Sequence, residues 1–251
     1  MIPSSGIQLD YPEIEEIYAR FSGLLALGAG PGGMLLFYRD LDSAGLATAM
    51  AANVAGVASL GIEADAAVAR QTLRAGVCDF VVNSLDEALR ILKNEVRQTR
   101  AASVVLTGEV NAVVAEIVAR GVQPDVVTFS VPLLIDRGAK LMSLDAGGDS
   151  GFTLSVTWEV QREASLWLPR LDNMVSGILG LQREGTRDSR VRWVEVSPRY
   201  LGRTYTGQRY VRMTSDEANR FLAAVNAAVK GGEIQVAVQV EVNGKAQLIE
   251  S

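Results

Sequence analysis

An acidic turn between a short apolar strand and a helix carries the residues of this chain that are best suited to chemistry. The apolar run Met34 to Tyr38 predicts a buried strand, and the turn after it contains Asp40, Asp42 and a single glycine, Gly45. In open α/β sheets this turn faces the ligand crevice, and dinucleotide-binding proteins fill it with glycines so that the backbone can approach a pyrophosphate. Two carboxylates here suit acid/base chemistry, a hard cation, or the N-terminus of the next helix.

The composition excludes several kinds of chemistry. The chain of 251 residues has no histidine and one cysteine, Cys78, which excludes histidine-dependent catalysis, disulfides within the chain and the commonest transition-metal sites. We expect Cys78 to be a buried thiol. A net charge of -5 without a basic stripe argues against a nucleic-acid partner. No apolar run approaches the roughly 20 residues that span a bilayer, so we expect a cytoplasmic protein without membrane contact.

Short apolar strands alternate with amphipathic helices over the first 130 residues. This alternation predicts an α/β fold with a doubly wound, Rossmann-like parallel sheet and right-handed crossovers. Strands are predicted at residues 34–38, 56–62, 77–82, 103–107 and 125–130. Helices are predicted at residues 11–25, 43–54, 66–73, 85–97 and 111–120. Ser84 and Glu87 predict a capping box at the start of the fourth of these helices.

The pattern changes after about residue 131, which predicts additional antiparallel strands and helices. We therefore expect a Rossmann domain over residues 1–135 and an α/β extension over residues 136–251, packed together as one compact unit. Strands are predicted at 152–160 and 190–196, helices at 164–181 and 215–229, and a loop at 199–210. Thr214 and Glu217 predict a second capping box at the start of the last of these helices. Asn243 and Gly244 predict a closing hairpin between residues 233–242 and 246–249.

Residues 28–33 satisfy the glycine pattern of a phosphate loop, but their context favours a linker at the end of a helix. A phosphate loop needs a helix immediately after it, whereas residues 34–38 have the composition of a strand. The acid that holds a ribose usually follows the loop by about 20 residues, and Glu63 lies well beyond that distance. The linker is the favoured interpretation, with the phosphate loop as the alternative.

Several segments resemble the central Rossmann-like domain of urocanase, or urocanate hydratase. The most specific is Arg-Gly-Val-Gln-Pro-Asp-Val-Val-Thr at residues 120–128, at a fixed distance from Gly108. The other matching segments are residues 40–45, 51–56, 61–65 and 84–89. The resemblance covers roughly residues 11–131, and a weaker similarity is seen near residues 174–182.

The resemblance implies a domain that holds NAD, which urocanase-like proteins use as an electrophile towards the imidazole ring of urocanate. It places Gly45 in the glycine turn and Glu63 at the ribose. The candidate cofactor-binding residues are therefore Asp40, Asp42, Ser43, Ala44, Gly45, Glu63 and Glu109.

The turn itself departs from the family pattern. The family's Gly-Leu-Gly-Gly-Met-Gly-Gly aligns with residues 40–46, and only Leu41 and Gly45 are kept. Asp40 and Asp42 beside a pyrophosphate imply a repulsion on the order of several kcal/mol, even at an effective dielectric of about 20. NAD in the family's pose is therefore disfavoured unless an arginine, Arg39 or Arg70, neutralises the charge.

Other family positions differ as well. The family's arginine after the acidic strand end falls on Val68, its Asn-Ala pair falls on Glu109 and Val110, and its Gln-Thr-Ser-Ala-His segment falls on residues 130–134. The flanking regions that complete the urocanate pocket in the family are not recognisable.

Several candidate residues also have simpler interpretations. Glu63 suits a ribose as well as it suits a solvated residue at the strand end or a partner of a helix N-cap. Asp40 and Asp42 are more simply caps of the next helix than a carboxylate pair. A divalent-metal site at Asp40, Asp42 and Glu63 is a weaker alternative. A cluster rich in tyrosine and arginine suits an anionic or aromatic ligand or a subunit interface, with an ordered surface loop as the alternative: Arg199, Tyr200, Arg203, Tyr205, Arg209, Tyr210 and Arg212.

These observations favour a stand-alone urocanase-like domain with a degenerate NAD turn. Such a domain would bind a small molecule or nucleotide, or serve as a homo-oligomeric scaffold such as a homodimer, without urocanate hydratase activity of its own. The alternative is an NAD-dependent lyase of the urocanase type, completed by a partner. The sequence identifies no catalytic residue and no metal ligand set.

Overall fold

A parallel sheet with six strands forms the first part of the chain, as the alternation of strands and helices predicts. The computed structural model describes residues 8–28, 33–142, 153–180, 188–201, 205 and 207–250. The strands of this sheet are β1 (Leu35–Arg39), β2 (Ala58–Glu63), β3 (Phe80–Val82), β4 (Ser103–Thr107), β5 (Val126–Val127) and β6 (Lys140–Leu141). The helices are α1 (Ile14–Ala26), α2 (Ser43–Ala55), α3 (Ala66–Ala75), α4 (Leu85–Arg97), α5 (Val110–Ala119) and α6 (Pro132–Asp136).

The strand order is β3-β4-β2-β1-β5-β6, and all neighbouring strands are parallel. Helices α4, α5 and α6 cover one face, where Leu60, Leu89, Val104, Ile117 and Leu134 share one apolar cluster. Helices α2 and α3 contact strands β1, β2 and β3 on the other face. Because helices cover both faces, the strands are buried and apolar, and the sheet is doubly wound.

Helix α1 is anchored on α2 by a buried arginine. Arg20 has 5% of its surface exposed, and its guanidinium donates to the Thr48 hydroxyl at 3.2 Å and to the Glu16 carboxylate at 2.7 Å. At the other end of α1, Lys140 Nζ donates to the Leu27 carbonyl at 2.7 Å, which satisfies one of the free carbonyls of the helix end. Helix α1 is therefore part of the Rossmann-like unit.

An antiparallel sheet of four strands forms the second part of the chain. Its strands are β7 (Leu154–Val160), β8 (Gln208–Met213), β9 (Val238–Val242) and β10 (Lys245–Ile249), in the order β10-β9-β7-β8. The accompanying helices are α7 (Ala164–Gly180), α8 (Ser189–Leu201) and α9 (Ser215–Lys230). Trp158 is buried in this core and packs edge-on against Phe221, with the ring centroids 5.4 Å apart.

Side chains of α8 protect the free edge of β8. Arg190 Nη1 donates to the Arg212 carbonyl at 3.0 Å, and Trp193 Nε1 donates to the Tyr210 carbonyl at 2.6 Å. Exposed edge carbonyls are a template for pairing with other chains, so this cover also guards against aggregation. Arg190 further binds the carboxylate of Glu217, which is fully buried.

Glu217 also completes the predicted capping box of α9 with Thr214. Burial raises the pKa of Glu217, but the hydrogen bonds from Arg190 and Thr214 outweigh it and hold that pKa below its ordinary value. Arg190 and Glu217 therefore join α8, α9 and the β8 edge through one buried ion pair.

Two predictions for the second part of the chain are wrong. Residues 190–196, predicted as a strand, lie in helix α8, whose buried residues Val191, Val194, Ser197 and Leu201 follow helical spacing. Over the seven residues 190–196, the alternation of apolar and polar types also fits a strand. The helical spacing becomes clear only over the 13 residues of α8. The segment 199–210, predicted as a loop, ends helix α8 and begins strand β8, while residues 202–204 and 206 lie outside the described part.

The chain divides into two units, Met1–Gly148 and Asp149–Ser251. The sequence placed this boundary at residue 135. In the structure it lies later in the chain, because β6 continues the parallel sheet beside β5. Within the described residues no helix is both long and apolar enough to cross a membrane.

The ion pair of Glu217 yields a stability prediction. Arg190 pairs with Asp188 as well as with Glu217, each at 2.7 Å. Glu217→Gln leaves this buried guanidinium with Asp188 as its only charged partner of the two, so we expect a loss of about 3 kcal/mol in the free energy of unfolding of the second unit. Urea unfolding followed by tryptophan fluorescence measures this, since all three tryptophans lie in that unit.

The matched control is Asp216→Asn, which changes an exposed acid on the same helical turn and should cost about 0.5 kcal/mol or less. The lowered pKa of Glu217 adds stability above the ordinary glutamate range, and this contribution is lost as the pH falls through the folded-state pKa. The difference between wild type and Glu217→Gln should therefore shrink in acid. Equal losses of unfolding free energy in Glu217→Gln and Asp216→Asn would contradict a stabilising role for the buried ion pair.

Candidate functional site

The carboxyl edge of the parallel sheet contains the point where the strand order reverses. From β1 the chain moves to β2 on one side, while from β5 it moves to β6 on the other side. Ligands of open α/β sheets bind in the crevice at such a switch point, outside the carboxyl ends of the strands. The acidic turn after β1 lies at this edge, and so do Glu63 at the end of β2 and Glu109 after β4.

The turn after β1, residues 40–45, folds tightly on itself. Asp40 adopts a left-handed backbone conformation with φ of 58°, and its N–H donates to the Ile62 carbonyl at 2.9 Å. A Cβ added at Gly45 would lie 1.8 Å from the carbonyl oxygen of Asp40. Gly45 is therefore required by the backbone of the turn itself.

Asp42 and Asp40 have different roles. Asp42 is the N-cap of α2: its Oδ1 accepts from the Gly45 N–H at 2.9 Å, and its carbonyl accepts from the Leu46 N–H at 2.9 Å. The prediction of a helix cap is confirmed for Asp42. It is wrong for Asp40, which lies before the cap and has its carboxylate 3.6 Å from Arg39 Nε, with 57% of the side chain exposed.

Glu63 joins the turn after β1 to the turn after β2. Its Oε2 accepts from the Leu41 N–H at 2.8 Å, and its Oε1 accepts from the Asp65 N–H at 2.8 Å. Asp65 in turn caps helix α3 through the Ala67 N–H. Glu63 is thus neither a solvated strand end nor a free acid, since both of its carboxylate oxygens hold backbone.

Ser43, Ala44 and Glu109 complete the set of predicted residues. Ser43 and Ala44 are half-buried in the first turn of α2. Glu109 is exposed at the N-cap position of α5 and makes no capping hydrogen bond with its side chain. The residue before it, Gly108, donates its N–H to the Glu63 carbonyl at 2.9 Å, so Glu109 follows a segment tied to β2.

An arginine stacked on a phenylalanine spans the switch point, and sequence reasoning did not pair them. The Arg39 guanidinium lies 5.5 Å from the centroid of the Phe129 ring, which is the distance of a cation–π contact. Arg39 ends β1 and Phe129 follows β5, so the contact links the two strands that border the crevice. Arg70, the other arginine considered near the turn, is exposed on α3.

The two alternatives of a phosphate loop at residues 28–33 and a metal site at the acidic turn find no support in the described residues. Gly28 follows helix α1, residues 29–32 lie outside the described part, and strand β1 rather than a helix comes next. Among the described residues no group of three or more cysteine, aspartate and glutamate side chains is placed to share a metal ion. This counts against a divalent-metal site at Asp40, Asp42 and Glu63.

The tyrosine and arginine cluster is not one exposed surface. Arg209 forms an ion pair at 3.1 Å with Asp172, Tyr210 is buried, and Arg199 lies over the Tyr200 ring. Burial raises the pKa of Asp172, although the Arg209 guanidinium and the Trp158 N–H oppose this. Arg209 and Tyr210 therefore belong to the folded interior of the second unit. Arg203 lies outside the described residues.

Cys78 is buried, as predicted. Burial raises the pKa of its thiol to about 11, so the thiolate needed for nucleophilic attack is scarce at neutral pH. The part of the chain that the structure describes therefore offers no activated cysteine.

The parallel sheet, its two helical layers and the crevice between β1 and β5 define an open α/β domain of the Rossmann-like class. Residues 15–132 match the family model of the urocanase Rossmann-like domain, which confirms the resemblance seen in the sequence. Over this segment, from α1 to the start of α6, the chain is similar to the urocanase Rossmann-like domain. Domains of that family are associated with NAD in general.

The residues at this edge do not fit NAD in the family's pose. A dinucleotide turn leaves free N–H groups for the pyrophosphate at the helix N-terminus, but here the Gly45 N–H already donates to the Asp42 carboxylate at 2.9 Å. The acid that would hold the ribose, Glu63, already binds two backbone N–H groups.

The close approach at Gly45 can be tested by adding one methyl group. Gly45→Ala forces the Asp40 backbone away, and we expect a loss of about 3 kcal/mol in the stability of the first unit. Gly108→Ala is the control, because its Cβ would meet only a Val113 methyl at 3.1 Å and should cost about 1 kcal/mol or less. Hydrogen exchange of β1 and β2 amides measures both, and similar values would contradict the predicted crowding.

The role of Glu63 predicts a local change in backbone protection. Glu63→Ala removes the acceptor of the Leu41 and Asp65 N–H groups, and we expect both amides to exchange about 30-fold faster, equivalent to about 2 kcal/mol. NMR-detected hydrogen exchange resolves the two sites. Glu109→Ala, an exposed acid on the same edge, should leave them unchanged. Unchanged exchange in Glu63→Ala would show that the carboxylate does not hold the turn.

Proposed function

We propose that this chain contains a urocanase-like domain that binds a small molecule at the crevice between β1 and β5, without urocanate hydratase activity of its own. The observation that carries the proposal is the engagement of Glu63 by the backbone N–H groups of Leu41 and Asp65. The acid that the family resemblance assigns to a ribose instead holds two turns of the protein together. A domain that uses this acid to hold its own backbone retains the Rossmann-like fold but does not offer the acid to the ribose of NAD.

The crevice still has features of a ligand site. Arg39 is 54% exposed, is oriented by the Phe129 ring, and lies beside Asp40. A guanidinium held in place by an aromatic ring is prepared for a planar or polar group, because little side-chain freedom is lost on binding. We place the ligand beside this pair. The expected homodimer and cytoplasmic location stay predictions.

The proposal predicts that the purified chain carries no NAD and does not consume urocanate. NAD released on denaturation should be far below one molecule per chain, calorimetric titration with NAD should show no binding, and the ultraviolet absorbance of urocanate should persist in the presence of the protein.

A thermal-shift screen with nucleotides and imidazole compounds identifies ligand candidates, since a ligand that binds the folded state raises Tm. A rise caused by a crevice ligand should be lost in Arg39→Ala and kept in Arg70→Ala, which removes an exposed arginine from α3. One NAD per chain, or turnover of urocanate, would instead support the NAD-dependent lyase.

A further inference from the structure

The carboxylate of Asp42 lies where a pyrophosphate would have to bind. Its Oδ1 accepts from the Gly45 N–H at 2.9 Å, at the N-terminus of α2. In dinucleotide-binding folds this helix end receives the pyrophosphate, because free N–H groups and the helix dipole favour a negative charge there. In this chain the protein supplies that negative charge itself.

Asp40 does not act in the same way. Its carboxylate is 57% exposed and lies near Arg39 Nε, which offsets its charge. No hydrogen bond joins its side chain to the start of α2 among those seen in the described residues. Of the two acids that replace family glycines, Asp42 is therefore the one that competes directly with an anionic ligand.

Helix α3 provides an internal comparison on the same edge. Asp65 caps α3 by accepting from the Ala67 N–H at 2.7 Å, much as Asp42 caps α2. The two aspartates have the same charge and the same kind of contact. They differ in position, since α2 follows the strand that borders the switch point and α3 does not.

We propose that Asp42 is a built-in anion that replaces the pyrophosphate at the N-terminus of α2, and that its charge is the main barrier to dinucleotide binding in this domain. This inference rests on the proposed loss of the NAD pose and identifies the residue responsible. The side chain of Asp40 is secondary, because its carboxylate is exposed beside Arg39 Nε, whereas Asp42 is the N-cap of α2.

The test exchanges the charged cap for a neutral one. Asp42→Ser keeps a good N-cap, so α2 should stay folded, but it removes the negative charge and leaves room at the helix end. Isothermal titration of the full chain with NAD, and separately with inorganic pyrophosphate, should show affinity at least tenfold higher than in wild type. The gain should decrease with added salt, because the effect is electrostatic. Asp65→Ser and Asp40→Ser are the matched controls and should gain much less.

Each outcome decides the inference. No gain in Asp42→Ser, with Tm close to that of wild type, overturns it, and so does an equal gain in Asp65→Ser or Asp40→Ser. Asp42→Asn, which keeps the shape of the side chain, replaces Asp42→Ser if the latter does not fold. If wild type itself retains NAD, the proposed function fails, whereas the ratio between Asp42→Ser and wild type still tests the role of Asp42.

Discussion

The bidentate use of the Glu63 carboxylate is the constraint on which the candidate site depends. It holds the Leu41 N–H on one turn and the Asp65 N–H on the next, so the connections after β1 and β2 form one hydrogen-bonded unit. Hydrogen bonds to a charged acceptor contribute about 1.5–3 kcal/mol each, which is enough to offset a strained residue such as Asp40 in the left-handed region. The tight contact between the Asp40 carbonyl and Gly45 follows from the same closed turn.

Much of the parallel sheet could be predicted from the sequence, because strands buried on both faces leave short apolar runs between amphipathic helices. Local signals also placed the cap of α4 at Ser84, the capping box of α9 and the Asn-Gly hairpin between β9 and β10. Each of these depends on residues within a few positions of each other. The order of strands in the sheet depends on long-range pairing, and the sequence pattern contains no such information.

The contacts that decide the site could not be predicted for the same reason. Glu63 meets Leu41 across 22 residues, and Arg39 meets Phe129 across 90, so both contacts exist only once β1, β2 and β5 are neighbours. The tyrosine and arginine cluster at residues 199–212 shows the same limit of local sequence patterns. Its sequence suited a ligand surface, a subunit interface or an ordered surface loop, yet Arg209 neutralises Asp172 inside the fold. Arg190, which lies outside that cluster, does the same for Glu217. Arginine is common in buried ion pairs because its planar fork can satisfy a carboxylate fully, so its frequency alone does not indicate a ligand.

At the N-termini of α2 and α3, aspartate side chains already accept the N–H groups that could otherwise bind a phosphate. Helices α2 and α3 begin at the carboxyl edge of the parallel sheet, and aspartates of the chain cap both of them. A phosphate arriving there must displace a carboxylate that is already hydrogen-bonded, and it meets further negative charge at Asp40 and Glu109. A ligand at the N-termini of α2 and α3 would therefore gain little from the dipoles of these two helices. In the proposed site its affinity would come from the Arg39 and Phe129 side of the crevice, where the protein presents an oriented cation and an aromatic face.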